Sequence, residues 1–128
     1  MARNKSFLLD THIFIWWLQS NKHLTTSVKK ILSDTNNTIY ISVVTVWEMF
    51  IKIEKGKLRI PRPLDGVIEK TGFRVLPITL AHVFHLPEYK KSHKDPFDRM
   101  LVAQSQVEKL VLITQDEKLK QYKVKILT

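Results

Sequence analysis

The sequence predicts an α/β protein, one domain in which a parallel sheet is wrapped by helices on both faces. Three observations lead there. Short apolar runs without alternation, Phe7-Leu8-Leu9 and Leu110-Val111-Leu112-Ile113, have the pattern of strands covered on both sides. Segments of helical period lie between the strand-like runs, so strands and helices alternate along the chain. Finally, 128 residues with 44% hydrophobic and 26% charged side chains suit a single domain, 1–128, and only 3 Gly and 5 Pro leave little room for linkers.

The first strand, residues 7–9, ends at Asp10-Thr11, which opens a helix through residues 12–18. That helix is apolar nearly all round, so a second apolar surface must cover it, from this chain or another. The basic start followed by an apolar stretch has the outline of a signal peptide. Asp10 and His12 interrupt it, however, no small-residue cleavage site follows, and residues 7–18 are too few to span a bilayer. A cytoplasmic protein without membrane association is expected. A second helix starts at Thr26 or Ser27 and runs to about Ser33, and Asp34-Thr35-Asn36-Asn37 is a turn. The second strand is residues 39–41. A strong helix follows from about Val43 to Lys55 and stops at Gly56, which tolerates the left-handed conformation of a helix end.

Residues 57–61 form an extended connector, Pro63 begins a short helix ending at Gly72, and residues 73–76 are the third strand. Thr79 caps a helix through Leu86 that Pro87 ends, and a polar loop, 88–94, follows. Asp95 is the natural N-cap of the next helix, with Pro96 in its first turn, where a missing N–H costs nothing. The fourth strand is residues 110–113, then come a short helix at 117–121 and a last strand at 124–126.

Lys and Arg number 21 against 12 Asp and Glu, a net charge of +9. A surface this basic attracts polyanions, or docks an acidic partner. The absence of Cys excludes disulfides and thiolate metal sites and suits a reducing compartment.

Four acids stand at the ends of apolar elements. Asp10 and Asp116 lie just past strands, where open α/β sheets place their ligands. Glu48 sits early in a helix among Val44, Trp47, Met49 and Phe50, where a carboxylate needs a cation or a proton. A capping box, Thr45-x-x-Glu48, is its bland alternative, against which the apolar residues ahead of Thr45 weigh. Asp98 falls in a first helical turn, where positive backbone dipole collects. Each could be a plain cap. Parallel strands share one carboxyl edge, however, so all four acids are expected in one cleft. Two like charges 4 Å apart repel by about 4 kcal/mol at an effective dielectric near 20. Several such pairs rival a domain's whole stability of about 5–15 kcal/mol.

Protons or a divalent cation must therefore relieve the cluster, and oxygen donors without Cys suit Mg²⁺ or Mn²⁺. A basic protein with a carboxylate-held metal points to phosphodiester hydrolysis. Asp10, Glu48 and Asp98 are read as ligands or water-orienting groups and Asp116 as a weaker outer ligand. Thr11, Ser42 and Thr114 are candidates to orient them, and Lys94 and Arg99 to hold the scissile strand. His82, His85 and His93 are a weaker, zinc-type alternative. Trp16, Trp17 and Trp47 read as core or interface rather than as platforms for bases.

Five segments, in this order, resemble PIN-domain proteins of the VapC toxin type: Phe7 to His12, Ser42 to Glu48, Gly56-Lys57-Leu58, His93 to Gln104 (HKDPFDRMLVAQ), and Thr114-Gln115-Asp116. The likeness covers almost the whole chain, and HKDPFDRMLVAQ is its most specific part. It implies a three-layer α/β/α fold with a central parallel sheet of about five strands in the order 3-2-1-4-5. It also implies a Mg²⁺- or Mn²⁺-dependent endoribonuclease, a homodimer, and a cognate antitoxin that blocks the site. The family's acidic set falls on Asp10, Glu48, Asp98 and Asp116, which leaves Asp95 as the cap. Ser105 departs from the pattern, where Ala is usual, and bears on helix packing rather than chemistry. The Trp16-Trp17-Leu18 segment is an exposed-looking surface for an antitoxin. Two functions compete: a non-catalytic basic RNA-binding or regulatory module whose acids are caps, and a structure-specific DNA nuclease of the same fold. The shortness of the chain, without inserted threading loops, disfavours the second.

Overall fold

A computed structural model of the chain describes residues 5–61, 63–88 and 94–128. Five parallel strands, β1 (Ser6–Leu9), β2 (Thr38–Ser42), β3 (Arg74–Leu76), β4 (Val111–Ile113) and β5 (Ile126–Leu127), lie in the order β3-β2-β1-β4-β5. Among the described residues the connections are α1 (Thr11–Gln19), α2 (Thr26–Ser33), α3 (Val43–Glu54), α4 (Leu64–Thr71), α5 (Leu80–Phe84), α6 (Pro96–Glu108) and a 3₁₀ turn (Glu117–Gln121). β1 is central: Leu8 stands opposite Tyr40 on one side and Leu112 on the other.

Successive strand residues point to opposite faces, so β1 feeds two cores. Phe7 and Leu9 pack with Ile13 and Phe14 of α1, Val28 and Leu32 of α2, and Ile68 of α4. Leu8 packs with Val44 of α3, Leu101 and Val102 of α6, and Leu119 of the 3₁₀ turn. Helices thus cover both faces of the sheet, and each fully buried leucine contributes roughly 1.5–3 kcal/mol.

Local capping sets the helix starts. Ser42 accepts the Val44 N–H at 3.0 Å, so α3 begins at Val43 and Thr45-x-x-Glu48 is not a capping box. Asp95 accepts the N–H groups of Phe97 and Asp98 at 2.9 and 3.3 Å, with Pro96 in the first turn. Most ends differ from the sequence reading by a residue at most, and two by two residues. α5 stops at Phe84 rather than at 86, the His85 N–H closing onto the Ala81 and His82 carbonyls. β5 occupies 126–127 rather than 124–126, because Val124 belongs to a turn on Tyr122 and pairing with β4 begins at Ile126.

The apolar α1 is covered from within the chain, which corrects the expectation of an exposed Trp16-Trp17-Leu18 surface. All three are half-buried against the first core, and Trp17 meets Phe73 with ring centroids 6.0 Å apart. Exposed apolar side chains lie elsewhere: Val43, Trp47 and Phe50 on α3, Val75 on β3, and Leu80, Val83 and Phe84 on α5. No described helix is long and apolar enough to cross a membrane.

Candidate active site

Asp10 leaves β1 and caps α1, and it is only 3% exposed. Its Oδ1 accepts the Thr11 N–H and its Oδ2 the Thr114 hydroxyl, both at 2.7 Å. The sheet register makes the second bond: Leu9 pairs with Ile113, so residues 10 and 114 emerge side by side. Thr114 Oγ1 in turn accepts the Asp116 N–H at 3.0 Å, and the Asp116 carboxylate accepts the Lys118 N–H at 3.0 Å. One hydroxyl therefore ties two of the four acids. Asp98, in the first turn of α6, is buried. Glu48 is half-buried on α3, its Oε2 3.5 Å from Lys52 Nζ, while its Oε1 is buried with no hydrogen-bond partner among the described residues.

Electrostatics joins these acids. The Asp98 carboxyl is pushed up to about 8, by burial first and then by the charges of Asp10, Asp95, Asp116 and Glu48. Asp10 is also raised by burial, with Glu48 adding, against the Thr114 bond, the His12 charge and the Thr11 N–H. Four acids distant in sequence thus share one field, and Asp95 joins them. Among the described residues, no three His, Asp or Glu side chains are placed to hold one ion together. Both Asp10 oxygens are engaged by Thr11 and Thr114, and Glu48 leans to Lys52. In donor chemistry the acids fit a hard divalent cation: they are all oxygen, they repel one another, and Glu48 Oε1 is buried and orphaned.

The remaining candidates divide. Of the three hydroxyls, Thr114 bonds an acid, Thr11 pairs with the Thr45 hydroxyl at 3.2 Å, and Ser42 caps α3. Lys94 is exposed; Arg99 is half-buried, and its Nη2 donates to the Pro87 carbonyl at 2.7 Å. His82 has both ring nitrogens occupied, by the Thr79 N–H and by Glu108, and so does not offer itself to zinc. His85 is exposed, and His93 lies outside the described residues. Two residues near the acids escaped the sequence reading. His12 acts on Asp10 from two positions on, a proximity readable from the cap. Tyr122, raised by burial with Asp98 adding and Arg99 opposing, had no sequence signal, because the 3₁₀ turn brings it in.

A family model described as PIN domain matches residues 7–125. No curated protein matches the sequence. Among solved structures, DNA-bound VapBC from Salmonella typhimurium is similar in fold, at TM-score 0.69 and 20% identity over 98% of each chain. VapBC-1 from nontypeable Haemophilus influenzae gives 0.69 at 19% identity, over 95% of this chain and 96% of that one. VapBC2 from Rickettsia felis, bound to a promoter DNA fragment, gives 0.67 at 15%, over 95% and 97%. At such identities the likeness is one of fold.

Proposed function

The chain belongs to the PIN domain family, and from that premise we propose that it is a Mg²⁺- or Mn²⁺-dependent endoribonuclease, the toxin of a VapBC-type toxin–antitoxin pair. What carries the proposal is the gathering of acids about the buried Asp98, whose carboxyl is pushed up to about 8 by burial first and then by the charges of Asp10, Asp95, Asp116 and Glu48. Such a clustering of like charges opposes folding and is relieved by a cation. Asp10, Glu48 and Asp98 would hold the ion, with Asp116 further out. The ion would supply a Lewis acid for the scissile phosphoryl oxygen and acidify water at neutral pH.

The chain's own groups prepare that chemistry. The Thr114 hydroxyl and Thr11 N–H fix the Asp10 carboxylate in one orientation. A cation held there would favour the ionised form of Asp98. The net charge of +9 draws RNA toward a pole that is itself acidic. Lys94, exposed at the entry to α6, is the better placed of the two candidate strand contacts, since Arg99 holds Pro87.

Val43, Trp47 and Phe50 of α3 and Val75 of β3, exposed apolar side chains that line one groove, support a homodimer and an antitoxin partner, because monomers rarely leave such patches open. A groove of about 610 Å³ between α3 and α4, lined by Val46, Phe50, Ile53, Ile60, Leu64 and Ile68, suits an amphipathic antitoxin helix. A cytoplasmic location belongs with this role.

Purified chain incubated with RNA is expected to cleave it in Mg²⁺ or Mn²⁺ and to stop in EDTA, while Asp98→Asn leaves the RNA intact. Cleavage by Asp98→Asn at the parent rate would sink the mechanism. Metal-independent RNA binding without cleavage, with Glu48→Gln neutral or stabilising, would mark a non-catalytic module instead. Expression of the chain alone is expected to arrest growth, and co-expression of its antitoxin to relieve it.

A further inference from the structure

A row of rings runs from beside Asp10 along the outside of α1. His12 and Trp16 are one helical turn apart, with centroids 6.2 Å apart and planes inclined at 59°. Trp16 and His23 are stacked, with centroids 5.5 Å apart and planes 27° from parallel. His12 and His23 are exposed, and Trp16 is half-buried between them.

The row is built, not incidental. Ser20 ends α1 at φ 52°, turning the chain back so that the Asn21 N–H meets the Trp16 carbonyl at 2.9 Å. Asn21 Oδ1 then accepts the backbone N–H of His23 at 2.8 Å and lies 2.8 Å from its ring Nδ1. A carbonyl oxygen only accepts, so the ring proton is on Nδ1, and Nε2 is left for a ligand. Gln115 Nε2 donates to the His23 carbonyl at 3.2 Å, which anchors this loop to the segment carrying Thr114 and Asp116. The turn at Ser20 and the Asn21–Trp16 bond close the helix; the Asn21 Oδ1 bond to Nδ1 goes beyond that closure and holds the imidazole itself.

Flat rings held at fixed angles match the faces of nucleobases, and stacking tolerates any base because each has a π-face. Paired bases hide those faces inside a duplex, whereas unpaired ones are free to splay onto a protein. Exposed Lys22, beside His23, and Lys118, two residues past Asp116, supply charge for the phosphates between. Resting on the nuclease proposal above, we propose that His12, Trp16 and His23 form a stacking subsite for unpaired nucleotides flanking the cleaved phosphate of an RNA. It makes the site select single-stranded segments with little regard to sequence at those nucleotides.

The experiment measures binding apart from cleavage: anisotropy of a fluorescein-labelled single-stranded RNA in EDTA, for the parent chain, His23→Ala, His23→Phe and Trp16→Leu. His23→Ala and Trp16→Leu are expected to weaken binding about tenfold each, the worth of one stacked base. His23→Phe, which keeps a ring, restores most of it, and a fully paired duplex binds the four chains alike. Thermal melts confirm that the variants are folded. In Mn²⁺, His23→Ala is expected to raise KM more than it lowers kcat, because the ring meets flanking nucleotides rather than the cleaved phosphate. Equal affinities of the parent, His23→Ala and Trp16→Leu for single strands would overturn the subsite, and so would failure of the parent to bind RNA. RNA cleavage by the parent alongside equal affinities removes the subsite and keeps the nuclease. Ring-dependent binding by a chain that never cleaves RNA does the reverse.

Discussion

Helix α6 carries two buried polar clusters built on opposite principles. Near its start, Asp98 is buried among the charges of Asp10, Asp95, Asp116 and Glu48. Further along, Gln104 and Glu108 meet His82 of α5, and there donors face acceptors, apart from the buried Gln104 Oε1, which has no hydrogen-bond partner among the described residues. His82 is fully buried; its Nδ1 accepts the Thr79 N–H at 3.0 Å, so Nε2 bears the proton and donates to Glu108 Oε2 at 2.7 Å. Gln104 Nε2 lies 3.3 Å from both the Pro77 carbonyl and His82 Nδ1. The second cluster docks a five-residue helix too short to persist alone. The first works against folding. Polar burial that opposes its own charge fits the proposed active site, while polar burial that is largely satisfied fits a structural junction.

The contrast breaks most visibly at Asp98. Asp98→Asn is expected to lower RNA cleavage by more than about 100-fold, beyond what the loss of a merely orienting group causes. The same substitution should stabilise the metal-free chain at alkaline pH. The sign follows from the raised carboxyl: it moves from 3.8 unfolded to about 8 folded, so the folded state holds the extra proton between those values. Stability in EDTA therefore falls as pH rises through that window and is greatest below it. Urea midpoints against pH should show this slope in the parent and a flatter one in Asp98→Asn. Identical slopes would dissolve the distinction between the clusters.

On the other side, His82→Ala should cost about 3 kcal/mol of unfolding free energy, from the cavity and the stranded Thr79 N–H. Glu108→Gln, which keeps an acceptor for Nε2, should cost far less. Chemical denaturation of both variants checks this, and a loss under about 1 kcal/mol for His82→Ala would deny the junction its structural role. Thr114→Val sits between the two kinds of cluster, since it removes a satisfied bond from Asp10, a proposed metal ligand. Cleavage should fall about tenfold with the melt little changed; an unchanged kcat would mean that Asp10 needs no orienting. The smallest effect is at Ser105, 2% exposed, whose hydroxyl has no hydrogen-bond partner among the described residues. Ser105→Ala should stabilise the chain by about 1 kcal/mol in a thermal melt.

Much of this was legible residue by residue. The caps Ser42, Thr79 and Asp95 act within a turn of themselves, so the starts of α3, α5 and α6 could be read directly. Apolar continuity marked β1 and β4. β5 was read two residues early because a strand so short exists only by pairing with β4. The cover over Trp17 escaped notice because it comes from Phe73, far along the chain. The acids stood out by position, but the strand order that sets Asp10 beside Thr114 came from family resemblance, not from periodicity. His82 reads as an amphipathic helix residue until α5 is laid against α6. The ring row needs the turn at Ser20, which no side-chain pattern announces.

By itself, then, the sequence determined which segments are strands and helices, where most of them begin, and which carboxylates stand at their ends. Those choices are made by backbone sterics and bonds spanning a few residues. Only the tertiary structure decided that Asp98 lies in the field of four other acids, that His82 is clasped by Glu108, and that three rings line up beside Asp10. Burial and electrostatic fields depend on distance through space, and the chain's order says little about that distance until the sheet has closed.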